Sequence, residues 1–213
     1  MRVRKKKNLD KRMQECSELL LKTPAEFKGR WSEKFGKNAP LFLEIGCGKG
    51  TFICEMAKQN PDVNFIAIER VEDVCVMAME KVLQEKISNV FFLSDDAKDI
   101  CEIFDKNEID RIYINFCDPW KKNKHAKRRL THENFLTLYK NALPKDGEIH
   151  FKTDNQKLFE FSLNEMIAFG LKLKNISLDL HASEFSGNII TEYEQSFMDK
   201  GQNIYRLEAV NIK

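Results

Sequence analysis

The sequence predicts an α/β fold built on a mostly parallel, twisted sheet with helices on both faces. From residue 41 onward, short apolar runs alternate with segments of helical periodicity, which is the pattern of parallel strands joined by helices. The first apolar run also ends in a loop with three glycines, as a strand-to-helix turn beside a ligand often does. Because no break in composition divides the 213 residues, we expect a single domain spanning 1–213.

The segment before the first strand is predicted to be basic and helical. Residues 8–22 carry leucines and a methionine at helical spacing. Phe27, Trp31 and Phe35 then recur four residues apart, which places them on one side of the chain. We therefore expect residues 1–38 to form an extension that packs on the domain through these apolar side chains.

Five strands are predicted first, and an antiparallel pair follows them. The five strands are predicted at 41–45, 64–68, 90–93, 111–115 and 147–151. Helical apolar faces at 51–58, 71–82 and 135–143 lie between them. The last segments, 171–180 and 204–210, are strand-like without a strong helix between them, which predicts an antiparallel hairpin at the sheet edge.

The glycine loop favours a cationic cofactor that carries a ribose. Its glycines alternate as Gly46, Gly48 and Gly50, whereas dinucleotide-binding oxidoreductases favour the G-x-G-x-x-G spacing. Glu44 stands just before the loop, where a carboxylate would repel a pyrophosphate and attract an ammonium group. Glu69 ends the second strand about 20 residues beyond the glycines, as a ribose-binding acid does. S-adenosylmethionine has both features.

Acidic residues also end the third predicted strand. Asp95 and Asp96 precede Ala97 and a predicted helix, so either carboxylate could cap that helix or accept from the amine of a bound adenine. Ala97 leaves room for a flat ring, and contact with the cofactor is the favoured interpretation for Asp96. We assign Arg70, which adjoins Glu69, to the same cofactor site.

A turn with one carboxylate follows the fourth strand, and a basic segment (residues 121–129) follows the turn. The turn, residues 115–120, places Asp118 between aromatic residues and beside Pro119. The basic segment is either a solvated loop or a phosphate-binding surface, and its position beside Asp118 favours nucleic acid. Its candidate phosphate-binding residues are Lys122, Lys124, His125, Lys127, Arg128 and Arg129.

Five carboxylates are predicted to meet at one edge of the sheet. They lie at or just past the ends of five apolar runs, and they are Glu44, Glu69, Asp96, Asp118 and Asp154. Ligands of open α/β sheets bind beyond the carboxyl ends of the strands, so these side chains are expected to line the binding cleft.

Seven motifs together resemble the bacterial tRNA (guanine-N7-)-methyltransferases of the TrmB type. The motifs lie at 44–50, 68–69, 96–97, 116–122, 125–129, 151–155 and 191–194. The resemblance implies the Rossmann-like fold of class I methyltransferases and S-adenosylmethionine as cofactor. It also implies a tRNA substrate that is methylated on N7 of the variable-loop guanine at position 46.

The resemblance assigns roles to the acidic and hydroxyl residues of these motifs. It implies that Asp118 is catalytic and also contacts the cofactor, and that Asp154 faces the substrate. The same substrate side is implied for Thr191, Glu192, Tyr193 and Glu194. The sequence departs from the family at Cys117, where the family more often has Pro or Ser, and at Lys121, where it often has Pro.

Guanine N7 already carries an in-plane lone pair, so the enzyme needs alignment and no strong base. Orientation can contribute about 7–11 kcal/mol in well-aligned cases. Asp118 is then expected to position a flipped guanine as a hydrogen-bond acceptor, and Asp154 could share that task. Two alternatives stay open: amino-group methylation of adenine or cytosine, and a catalytically silent RNA-binding module. Cofactor binding would separate the silent module from both enzymes.

Composition favours a cytoplasmic enzyme that places its positive charge locally. The net charge is only +2, so affinity for RNA must come from the basic residues at 2–7 and from the basic segment. No apolar stretch fits a secretory signal or a bilayer span. Six cysteines without C-x-x-C spacing predict reduced thiols and no metal site. Both a monomer and a homodimer are compatible with these features.

Overall fold

The computed structural model of the chain describes residues 8–212, and the basic residues at 2–7 lie outside them. Its strands are β1 (Leu41–Ile45), β2 (Asn64–Ile68), β3 (Val90–Leu93), β4 (Arg111–Asn115), β5 (Glu148–Thr153), β6 (Lys172–Ser177) and β7 (Tyr205–Val210). They form one sheet in the order β3-β2-β1-β4-β5-β7-β6. Strands β1 to β5 pair in parallel, and β7 runs antiparallel to both β5 and β6. The predicted mostly parallel α/β sheet with an antiparallel edge is confirmed.

Helices cover both faces of this sheet. They are α1 (Leu9–Glu15), α2 (Trp31–Phe35), α3 (Thr51–Gln59), α4 (Glu72–Gln84), α5 (Ile100–Ile103), α6 (Glu133–Ala142), α7 (Gln156–Ala168) and α8 (Glu192–Met198). Short 3₁₀ helices lie at Pro24–Phe27, Ala97–Asp99 and Asn123–Arg128. Within residues 8–212, none of the helices has the length and apolar character that a membrane span requires.

Two apolar cores form because side chains alternate across the strands. In β2, Phe65 and Ala67 pack with α1, α3 and α4, whereas Ile66 and Ile68 pack with α5, α6 and α7 on the other face. A strand buried on both faces needs apolar residues at successive positions, which is why β2 is a continuous apolar run. Glu44 interrupts the corresponding run of β1, and it lies at the edge where ligands are expected.

The N-terminal helix is shorter than predicted. Helix α1 ends at Glu15, and the chain then runs beside β3, where Leu20 forms a parallel bridge with Phe92. The amide of Leu21 donates to the Phe92 carbonyl at 3.0 Å, and the Phe92 amide donates to the Leu19 carbonyl at 2.8 Å. These bonds pair backbone groups that β3 would leave open at the edge of the sheet. The helical prediction through residue 22 is therefore wrong in its second half.

Aromatic stacking attaches the next part of the chain. The buried ring of Trp31 stacks on Phe104, with centroids 5.3 Å apart, and Phe35 lies 4.9 Å from Phe91. Residues spaced four apart thus contact the sheet layer from one side of the segment.

A short helix separates the last two strands, which are not joined by the tight turn of a hairpin. Helix α8 begins after Thr191, whose hydroxyl accepts from the Glu194 amide at 3.1 Å. Its buried residue is the charged Glu194 and its exposed residues include Tyr193, so the seven-residue helix gave no strong apolar periodicity. The helix carries the 191–194 motif to the edge of the sheet where the parallel strands end.

Candidate active site

The expected edge of the sheet holds an open cleft of about 410 Å³. Glu44 lies in β1, and Glu69, Asp96, Asp118 and Asp154 follow β2, β3, β4 and β5. Because these strands are parallel, all five carboxylates belong to the same edge of the sheet. The cleft itself lies between the glycine loop, the end of β4 and helix α8.

Glu44 is a buried carboxylate with one unpaired oxygen. Its side chain lines the cleft although the residue is only 2% exposed, and its Oε1 accepts from Asn115 Nδ2 at 3.1 Å. Its Oε2 has no hydrogen-bond partner among the described residues. Burial raises the pKa of Glu44 to about 7, against the opposing effects of the Asn115 bond and the Lys152 charge. A buried carboxylate oxygen without a partner fits a ligand that brings an ammonium group.

The three glycines have two different functions. Gly46 and Gly48 have φ values of 78° and 57°, and a Cβ on either residue would meet nothing within 4 Å. They keep a left-handed loop that leaves open space for a ligand. Gly50 has a φ of 81°, and a Cβ there would lie 2.5 Å from the Ala78 Cβ. The third glycine therefore permits close packing of the loop on α4.

Glu69 is held by backbone donors and still has acceptor capacity. Its Oε2 accepts from the Gly48 amide at 3.1 Å, and its Oε1 accepts from the Val71 amide at 2.9 Å. Each carboxylate oxygen can accept more than one hydrogen bond, so both can also accept from a ligand hydroxyl. This arrangement fits the two hydroxyls of a ribose beside the glycine loop.

Asp96 is the residue that caps the helix at the third strand. Its Oδ1 accepts from the Lys98 amide at 3.1 Å, and its Oδ2 pairs with the exposed Arg70 at 3.1 Å. Burial raises the pKa of the neighbouring Asp95, and the charge of Asp99 raises it further. The cap and the Arg70 pair orient Asp96, and Ala97 is buried behind it.

The Asp118 turn is held in an unusual backbone conformation. Phe116 and Trp120 both have left-handed φ values, 53° and 41°, which non-glycine residues rarely adopt. Arg129 braces the turn, because its Nε and Nη2 donate to the carbonyls of Pro119 and Trp120 at 3.1 and 3.2 Å. Asp118 itself is exposed, so its carboxylate is accessible to a substrate.

Asp118 and Asp154 both act on the hydroxyl of Tyr193. Burial raises the pKa of Tyr193, and the charges of Asp154 and Asp118 raise it further. The Tyr193 ring is 51% exposed, and its centroid lies 5.1 Å from that of Phe116. Phe116 and Tyr193 both line the cleft, and the charges of the two carboxylates reach the Tyr193 hydroxyl.

The remaining residues of the 191–194 motif have different surroundings. Thr191 and Glu192 line the cleft, and Glu192 pairs with Lys81 at 3.1 Å and Lys49 at 4.0 Å. The Lys81 hydrogen bond lowers the pKa of Glu192. Glu194 is fully buried and accepts from two side chains, so its carboxylate points away from the cleft. The donors are Lys152 at 2.6 Å and Asn188 at 2.7 Å, and His181 Nε2 lies 3.1 Å from its Oε1.

The basic segment presents some of its cations to solvent and uses others internally. Lys122, Lys124, Lys127 and Arg128 are exposed, and His125 and Arg129 are half-buried. The Arg128 guanidinium carbon lies 4.9 Å from the centroid of the Trp120 ring, and the His125 ring meets that ring edge-on at 5.8 Å. Both Arg129 side-chain hydrogen bonds are to the Asp118 turn, and its guanidinium carbon lies 4.3 Å from the centroid of the Phe161 ring, so this residue braces the turn.

A second group of polar side chains lies on the sheet face away from this edge. Ligand atoms of Glu148, His150 and Glu208 lie within 4.8 Å of one another. Arg111, Lys174 and Arg206 already pair with these carboxylates, so an added metal ion would be repelled by three fixed cations.

Comparison with known proteins assigns this chain to a family. A family model described as a putative methyltransferase matches residues 38–207. A tRNA (guanine-N(7)-)-methyltransferase of Bacillus cytotoxicus is 50% identical over 98% of this chain and 96% of its own. The enzymes of the same name from Listeria innocua and Streptococcus sanguinis are 51% and 48% identical, over 98% of this chain and 98% and 99% of theirs. The chain belongs to the tRNA (guanine-N(7)-)-methyltransferase family.

Solved structures agree with this family at the level of the fold. A 16S rRNA methyltransferase, KamB, superposes with a TM-score of 0.65 at 12% identity, over 85% of this chain and 92% of that one. An antibiotic-related methyltransferase gives a TM-score of 0.62 at 18% identity, with the same coverage. The fold is therefore that of class I methyltransferases.

Family motifs did not reveal every residue that shapes the cleft. Asn115 bonds to Glu44, but only the parallel pairing of β1 with β4 brings the two together. Lys152 lies within the 151–155 motif, but the resemblance assigned it no role, and its side chain is buried. The central position of β5 indicates burial on both faces, but it does not identify Glu194 as the partner of Lys152.

The raised pKa of Glu44 predicts that cofactor affinity depends on pH. The ionised carboxylate attracts the cofactor ammonium group, so affinity should fall as pH falls below about 7, by up to about tenfold per pH unit. Calorimetric titration between pH 5.5 and 7.5 measures this dependence. Glu44→Gln should bind more weakly and with a flat profile over that range. The same slope in wild type and variant would show that another group titrates.

Exposed lysines of the basic segment should contribute salt-dependent affinity for tRNA. Replacing Lys124 or Lys127 with Ala should weaken binding at low salt and reduce the slope of log K against log salt by about one unit. Filter binding at several salt concentrations measures the slope. Lys172→Ala, on edge strand β6, is the matched control and should leave it unchanged. Unchanged slopes for Lys124→Ala and Lys127→Ala would make the segment a solvated loop.

Proposed function

We propose that this protein methylates N7 of a guanine in tRNA, at position 46 of the variable loop, in the cytoplasm. The observation that supports the proposal is that Phe116 and Tyr193 line the same cleft as the unpaired Glu44 oxygen, with the exposed Asp118 two residues beyond Phe116. One side of the cleft suits a cofactor with an ammonium group, and the other presents acceptors and an aromatic surface. The names of the curated relatives support the choice of tRNA and of N7.

The acceptors match the groups that guanine offers. Its Watson–Crick edge carries N–H donors, and the exposed carboxylate of Asp118 can accept from them. S-adenosylmethionine supplies a methyl group on a positively charged sulfur, and methylation at N7 leaves the positive charge on the guanine ring. The carboxylates of Asp118 and Asp154 lower the cost of that charge by Coulombic attraction. No side chain has to remove a proton.

The aromatic pair provides a surface for an unstacked base. Tyr193 and Phe116 lie with centroids 5.1 Å apart, and the Tyr193 ring is exposed. Bases displaced from an RNA stack gain stabilisation by stacking on aromatic side chains. We therefore place the flipped guanine against Tyr193, with Asp118 at its Watson–Crick edge.

Nucleoside analysis tests this function. The protein is incubated with an unmodified tRNA transcript and S-adenosylmethionine, and the digested tRNA is analysed by mass spectrometry. N7-methylguanosine is the expected product, and Asp118→Ala should yield little of it. Methylated adenosine or cytidine would support the amino-group alternative, and tRNA binding without any methylation would support a silent RNA-binding module.

A further inference from the structure

A buried ammonium group lies beneath the cleft. Lys152 is 4% exposed, and its Nζ donates to Glu194 Oε2 at 2.6 Å, to Asn188 Oδ1 at 2.9 Å and to the Ile189 carbonyl at 3.1 Å. An ammonium group has three N–H donors, so all of them are used. The charge of Lys152 is therefore committed to the protein itself and does not serve as a ligand for phosphate.

This side chain connects several walls of the cleft. Through Glu194 it holds helix α8, which carries Tyr193. Its carbonyl accepts from the Phe116 amide at 2.8 Å, and its Nζ lies 5.4 Å from the centroid of the Phe116 ring. Its charge also acts on Glu44, on the cofactor side. Residues on the base side and on the cofactor side of the cleft thus interact with the same buried residue, Lys152.

We propose that Lys152 and Glu194 form a positioning pair that sets the distance between Tyr193 and Phe116 and thereby places the target base for methyl transfer. The inference rests on the proposed function and assigns Glu194 a role different from substrate contact. Glu194 is fully buried, and each of its carboxylate oxygens accepts from a buried or half-buried side chain, which fits a positioning role and leaves no free oxygen at the cleft.

The pair joins elements that are otherwise weakly linked. Lys152 lies in central strand β5, and Glu194 lies 42 residues later in α8, between two strands of the sheet edge. A buried ion pair stabilises little compared with apolar packing, but it fixes geometry because each charge needs its partner. Removing one partner leaves a buried charge alone, so the informative variant neutralises both.

Loss of the Lys152–Glu194 pair should also change the pKa of Glu44. The Lys152 charge lowers the pKa of Glu44, against the dominant effect of burial. Without that charge the Glu44 pKa should rise, and the pH below which cofactor affinity falls should move above 7. This midpoint reports the loss of the Lys152 charge near Glu44, and kcat reports the positioning role.

The test compares two double variants. Lys152→Met/Glu194→Gln removes both charges of the buried pair, and Arg12→Met/Glu80→Gln removes an ion pair between α1 and α4 as a control. For each protein, melting temperature, kcat at saturating tRNA and cofactor, and cofactor affinity against pH are measured. We expect kcat of the first variant to fall at least tenfold and its pH midpoint to rise, whereas the control should lower only the melting temperature.

Wild-type kcat and an unchanged midpoint in Lys152→Met/Glu194→Gln would overturn the inference. If that variant does not fold, Glu194→Gln alone decides, because it keeps the size of the side chain and an acceptor oxygen for the Lys152 ammonium group. It should lower kcat severalfold while binding one cofactor per protein, and an unaltered kcat would reject the positioning role. Failure of the wild type to form N7-methylguanosine would instead reject the proposed function.

Discussion

Asp118→Ala should lower the rate of methyl transfer by about a hundredfold, because the base loses the acceptor that orients it. Asp118→Asn should lose part of the rate, since an amide presents one acceptor oxygen where the carboxylate has two. Single-turnover measurements with saturating tRNA and cofactor report this step directly. Both variants should fold normally because the Asp118 side chain is exposed.

The control for lost charge is Asp62→Ala, which removes a fully exposed carboxylate far from the turn. It should transfer methyl at the wild-type rate. Near-normal rates for Asp118→Ala and Asp118→Asn would reduce Asp118 to a turn residue ahead of Pro119. The left-handed Phe116 and Trp120 and the Arg129 brace would then shape the turn for a reason other than catalysis.

Glu69→Ala should weaken S-adenosylmethionine binding at least tenfold. Hydrogen bonds to a carboxylate contribute about 1.5–3 kcal/mol each, and two backbone amides hold Glu69 beside the glycine loop, where we expect the ribose. Calorimetric titration measures the loss. Glu72→Ala, an exposed acid in the first turn of α4, is the matched control and should bind normally.

The test of Glu69→Ala needs both its cofactor affinity and its melting temperature. A variant with wild-type melting temperature and wild-type affinity would exclude Glu69 from the cofactor site. A lower affinity with an intact fold supports the assignment, because the glycine loop loses only one amide contact with the side chain.

The location of the cleft at one edge of the sheet was predictable, because residues that follow parallel strands meet at the same edge. Glu69 and Asp118 each follow an apolar run, and parallel pairing of those runs places both side chains at one edge. The local sequence was therefore enough to predict the positions of Glu69 and Asp118. The family motifs added the roles expected of these residues, which spacing alone could not supply.

The side-chain contacts around the cleft were not predictable, because they join residues that are distant in the sequence. Glu194 belongs to a motif that the resemblance places at the substrate, but Lys152, 42 residues earlier, holds it in the interior. Arg129 belongs to a basic segment, but two of its N–H donors bond to carbonyls of the Asp118 turn. Helix α1 ends early because the following residues pair with β3. No local pattern distinguishes a buried ion pair from an exposed one.

Methyl transfer to an otherwise matched tRNA that carries 7-deazaguanine at position 46 tests the central claim most directly. This base keeps the Watson–Crick edge that Asp118 would contact, but a carbon replaces N7. The account predicts that the substituted tRNA binds with unchanged affinity, competes with normal tRNA and accepts no methyl group at that position. Methylation of the substituted tRNA at the rate of normal tRNA would contradict it.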